Sequence, residues 1–94
     1  MRTIAHWVDG KYYEGNPIGR FAVENPGTGE VEAELLQASD ADLDHAVEVA
    51  RRAQKEWAKV SLAKRTAIMF RMRQLVLDHQ DEMAKMIVAE HGKN

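Results

Sequence analysis

The 94-residue sequence contains no cysteine. That absence excludes a disulfide framework, a thiolate metal site and a thiol nucleophile, and it fits a reducing compartment. Long apolar runs are missing as well. The opening Met1-Arg2-Thr3-Ile4-Ala5-His6-Trp7 holds no seven-residue apolar stretch, and no segment approaches the length of a membrane span. A cytoplasmic location without a membrane partner is therefore expected. Neither sign of charge dominates: 13 Lys and Arg stand against 15 Asp and Glu, and the formal charge of −2 gives no broad pull toward nucleic acid or anionic lipid. Internal repeats, low-complexity tracts and linkers rich in Gly, Pro or Ser are absent too, so residues 1–94 read as one unit. What is present, 45% hydrophobic and 30% charged residues, is the composition of a folded globular chain with a modest core.

Periodicity changes near Ser39, with strand and turn signals over 1–38 and helical signals over 39–94. Trp7-Val8 and Lys11-Tyr12-Tyr13 flank Asp9-Gly10, a dipeptide suited to a two-residue turn whose central residues both need positive φ. Gly15, Pro17 and Gly19 interrupt the chain before Phe21-Ala22-Val23 resumes an extended run that ends at Asn25-Pro26-Gly27-Thr28-Gly29. From Val31 to Ala38 the residues Val31, Ala33 and Leu35 alternate with Glu32, Glu34 and Leu36, the period of a half-buried strand. Two short antiparallel hairpins are expected.

Three helices follow. Ser39 can cap the first, with Asp42 supplying the reciprocal contact, and the helix is expected to reach about Lys59. Leu43, Ala46, Val47, Ala50, Ala53 and Trp57 recur at helical spacing and predict its buried face. Its acids Asp40, Asp42 and Asp44 and its bases Lys55 and Lys59 complement the macrodipole. Ser61 can begin a second helix to about Asp78. At 100° per residue, Ile68, Met69, Met72, Leu75 and Val76 share one side while Phe70 and Leu77 fall on the other. Either the hairpins cover Phe70 and Leu77, or the helix is the middle layer of something larger and an isolated chain exposes apolar surface and self-associates. The third helix is read from about Asp81 to His91, with Met83, Ala84, Ile87 and Val88 inward, Asp81 paired to Lys85, and Gly92 ending it. The chain is thus α+β, two hairpins followed by three helices.

The search for chemistry returns little. Gly27-Thr28-Gly29 starts like a dinucleotide fingerprint, but Glu32 occupies the third glycine position and the segment leads into a strand, so a tight turn explains both glycines better. His6, His45, His79 and His91 lack a metal-ligand spacing and read as surface residues. Ser39 and Ser61 read as helix caps, since no Gly-x-Ser-x-Gly elbow surrounds them. Asp40, Asp42 and Asp44 sit at a helix start where the dipole already accounts for them. Lys64, Arg65, Arg71 and Arg73 scatter around their helix with no single strip for nucleic acid. No catalytic, cofactor-binding or metal residue is assigned.

The order of these motifs resembles the opening of the aldehyde dehydrogenase superfamily along essentially the whole chain. The resemblance is carried by His6-Trp7-Val8-Asp9-Gly10-Lys11, Asn25-Pro26-Gly27-Thr28-Gly29-Glu30-Val31, Asp42-Leu43-Asp44-x-Ala46-Val47, Trp57, Arg65 and Glu90-His91-Gly92-Lys93. Lys64-Arg65 with Met69-Phe70-Arg71 and the two end motifs are most similar to the methylmalonate-semialdehyde branch. The resemblance implies that the segment precedes the cofactor-binding sheet of an α/β NAD-binding domain. It implies a whole enzyme, a homo-oligomer, that oxidises a semialdehyde with NAD through a cysteine thioester and passes the acyl group to coenzyme A, in valine or inositol breakdown. Some relatives bind a monovalent cation through carbonyls that would map to Val23 and Glu24, although Asn25-Pro26 is better read as a turn initiator.

The nucleophile, the oxyanion groups and the main cofactor sequence of that family all fall beyond Asn94. Two expectations follow. Either the chain is an inactive piece of a dehydrogenase that needs the remainder of the enzyme, or it is an interaction module that packs Phe70 and Leu77 against a partner or a copy of itself.

Overall fold

The computed structural model describes residues 2–92. Five strands, β1 (Arg2–Ile4), β2 (His6–Val8), β3 (Lys11–Tyr13), β4 (Gly19–Glu24) and β5 (Val31–Gln37), precede α1 (Asp40–Trp57), α2 (Leu62–Asp78) and α3 (Gln80–His91). The division at Ser39 and the α+β class are as expected.

Both expected hairpins form. β2 and β3 pair antiparallel with Trp7 opposite Tyr12, and Asp9 and Gly10 both take positive φ, 58° and 72°. That is the left-handed pair a two-residue hairpin turn needs. β4 and β5 pair antiparallel from Gly19 opposite Gln37 to Glu24 opposite Val31. One element was not foreseen: β1 joins β5 in parallel, with Arg2 opposite Ala33, so the sheet order is β1-β5-β4. Three residues are too few to show an alternation, and only long-range pairing holds them extended.

The inward set expected on β5 needs correction. Ala33 is fully buried and Leu36 is 2% exposed, while Val31 lies in the open. The register slips between Val23 and Glu24, leaving Glu32 as an extra residue on β5, and such a bulge breaks the two-residue period. As the central strand, β5 is covered on both faces; Ala33 and Leu36, three residues apart, point to opposite sides.

The caps are as the sequence indicates. Ser39 and Asp42 form a reciprocal capping box on α1, Ser61 caps α2 by accepting from Lys64 N, and Gly92 ends α3 in the left-handed conformation. α1 stops two residues short of Lys59 because Lys59 and Val60 donate to carbonyls three residues back, tightening the chain into a turn.

The faces of the helices are not as expected. On α1 the buried residues are Asp42 and Val49, with Ala46 half-buried between them, whereas Leu43 and Val47 are exposed. The capping carboxylate is the reason: Asp42 is drawn into the loop after β3, and the Asp42–Ala46–Val49 line follows it toward the β2–β3 turn. On α3 only Ala89 is half-buried, and Met83, Ala84, Ile87 and Val88 are open. Its inner edge is instead Lys85, Met86, Ala89 and Glu90, which border a cleft with Arg2, Val23, Glu32 and Ala33. Lys85 faces that cleft and makes no ion pair with Asp81. α2 has no buried residue.

The result is a slab, 47 × 35 × 16 Å, with a radius of gyration of 17.0 Å. A self-contained domain of this length has about 12 Å. Its accessible surface is 7819 Å², against about 5,500 Å² for a compact protein of the same mass.

Candidate functional site

The best-organised polar cluster lies where the loop after β3 meets the start of α1. Asp42, 3% exposed, accepts from the Tyr13 hydroxyl at 3.2 Å, from Asn16 N at 3.0 and 3.1 Å on its two oxygens, and from Ser39 N at 3.1 Å. The Asn16 amide is the main cause that holds its carboxyl below the ordinary carboxylate range; burial opposes the shift, and the Ser39 and Tyr13 bonds reinforce it. Tyr13 is shifted upward, first by burial and then by its bond to the carboxylate. Its ring also lies against His45, centroids 5.1 Å apart. Gly15 lets the loop approach: at φ 63° it has left-handed backbone, and any Cβ there would collide with the Asp42 carboxylate. A carboxylate with every donor matched and its proton affinity lowered is suited to clamping. General-base work would require it to release partners first.

A second junction joins α1 to α2. Arg65 Nη2 donates to Trp57 O at 2.7 Å and Nε to Val60 O at 3.1 Å, with the guanidinium 5.2 Å from the Trp57 ring centre. Arg65, eight positions after Trp57 in the motif pattern, thus ties the last carbonyl of α1 and a carbonyl of the following turn to the first turn of α2. Arg65→Ala is expected to cost about 1–2 kcal/mol, the scale of charged hydrogen bonds to carbonyls. Faster amide exchange confined to residues 57–66 would display it; unchanged exchange there would count against the role.

The turn at Asn25-Pro26-Gly27-Thr28-Gly29 shows whether a dinucleotide phosphate fits. Asn25 Oδ1 accepts from Gly27 N at 2.9 Å, and Asn25 O accepts from Thr28 N at 3.2 Å and Gly29 N at 2.7 Å. Three amides that a phosphate cradle would have to present are taken up by one residue, and the chain continues into β5, not a helix. NAD phosphates do not fit this turn. Asn25 Nδ2 meanwhile reaches Glu32 Oε1 at 3.1 Å, tying the turn to the bulge, in keeping with a turn-initiating role. Val23 and Glu24 stand at that bulge, the end of β4.

Ser39 and Ser61 are spent on capping. Asp40 and Asp44 stay outside the Asp42 cluster. His45, His79 and His91 are exposed as expected, but His6 is half-buried, with Nε2 out of solvent and unpartnered; it stands opposite Tyr13 in the β2–β3 pair. Among the described residues no three His, Cys, Asp or Glu side chains gather as metal ligands, and no helix is long and apolar enough to cross a membrane. Lys93, the last residue of the Glu90-His91-Gly92-Lys93 motif, and Met1 lie outside the described residues.

The remaining feature is apolar surface. Phe70 is 65% and Leu77 48% exposed, so the hairpins do not cover them. The opposite side of α2 is equally open, with Met69 and Met72 more than half exposed. Of the two expectations for Phe70 and Leu77, cover by the hairpins is not realised among the described residues.

Known proteins share both the sequence and this open shape. The aldehyde dehydrogenase family profile matches residues 12–94. Malonate-semialdehyde dehydrogenase 2 of Oceanobacillus iheyensis is 37% identical over all of this chain and 19% of its own length. A betaine aldehyde dehydrogenase of Vibrio vulnificus is 39% identical over 99% of this chain and, again, 19% of its own. The crystal structure of a Sinorhizobium meliloti 1021 protein described as a methylmalonate-semialdehyde dehydrogenase, complexed with NAD, superposes with a TM-score of 0.93 at 38% identity, covering 97% of this chain and 18% of that one. The chain therefore spans about a fifth of the length of the relatives it matches.

Proposed function

From the premise that this chain belongs to the aldehyde dehydrogenase family, matched over residues 12–94, we propose that it is the N-terminal segment of an NAD-dependent, coenzyme-A-acylating methylmalonate-semialdehyde dehydrogenase. The supporting observation is the superposition on the Sinorhizobium protein, which takes in nearly the whole chain, open helices included, at 38% identity.

In this reading the segment supplies architecture. It has no cysteine to attack an aldehyde, its one deeply buried carboxylate is committed to the α1 clamp, and its glycine turn has no amides to spare for a dinucleotide. The aldehyde-oxidising cysteine, the NAD site and the coenzyme A site all belong to the remainder of the enzyme, which docks on the helices through surfaces that include Phe70 and Leu77.

The purified 94-residue chain is expected to show no NAD reduction with methylmalonate semialdehyde and coenzyme A. The same segment, substituted for the aligned start of the Sinorhizobium protein, should keep NAD reduction within about tenfold of that protein, since each 1.4 kcal/mol of misfit costs a factor of ten. Turnover by the isolated chain, or an inactive but folded chimera, would refute the reading.

A further inference from the structure

We draw no further inference here: the strongest candidate, the apolar surface on both flanks of α2 around Phe70 and Met72, belongs to the docking surface already described, and nothing in the structure shows what covers it.

Discussion

Gly15→Ala is expected to destabilise the β3–α1 junction by on the order of 3 kcal/mol, a large single-residue effect for a chain with so small a core. Two costs combine. Left-handed backbone charges any residue with a Cβ about 1–2 kcal/mol. The Cβ would also enter the space of the Asp42 carboxylate. Asp42 cannot swing aside cheaply, because the same oxygens hold Asn16, Tyr13 and Ser39. Gly10→Ala is the matched control. Its φ is 72°, but nothing lies within 4 Å of the added atom, so it should cost only the backbone part, about 1 kcal/mol. Thermal melts of the active chimera, with Asn16 amide exchange as the local probe, should rank the two variants in that order. Equal effects would mean that the close approach to Asp42 is unimportant.

Acid is expected to open the same junction. The folded-state pKa of Asp42 lies below its ordinary 3.8, chiefly because Asn16 N donates to the charged form. A depressed carboxylate pKa means the unfolded chain binds the proton first. The stabilisation is therefore fully present above about pH 4 and is lost as pH falls through the folded-state value. Protonation also removes acceptor capacity that the Asn16 and Ser39 amides require. Following Asn16 exchange from pH 5 to pH 2 should show protection collapse at the acid end. Asp42→Asn should weaken the junction at neutral pH and flatten that acid step. A step of undiminished size in Asp42→Asn would assign it to another carboxylate.

Local chemistry was legible in the sequence where a few neighbouring residues decide the outcome. Asp9-Gly10, Ser39 with Asp42, Ser61 and Gly92 all do what their types predict. Burial was not legible, because it depends on what lies across from a residue. Val31 lies open beyond the one extra residue at Glu32, and Leu36 is buried because β5, the central strand, is covered on both faces. Leu43 and Val47 form as regular a helical stripe as Ala46 and Val49, and only the pull of the loop on Asp42 selects between them. The clamp itself left one trace: Asp, where a capping box usually has Glu or Gln, is a shorter arm that keeps the carboxylate near the backbone. Its loop partners Tyr13, Gly15 and Asn16 carried no signal that pointed to it. The family, by contrast, was legible because it rests on the order of motifs, which survives errors about which side of each helix faces in.

The parallel pairing of β1 with β5 also bears on the order in which the chain can fold. Arg2 meets Ala33, and Val23 meets Ala33 from the other side, so both outer strands wait for the strand between them. During synthesis β1 emerges well before β5, the strand it pairs with, while the Trp7–Tyr12 hairpin beside it is purely local. Hairpins close in about 1–10 μs, far faster than the ribosome adds the next residue at about 5–20 per second. The hairpin can therefore form early and hold the neighbouring strand close to the chain until β5 arrives to receive it.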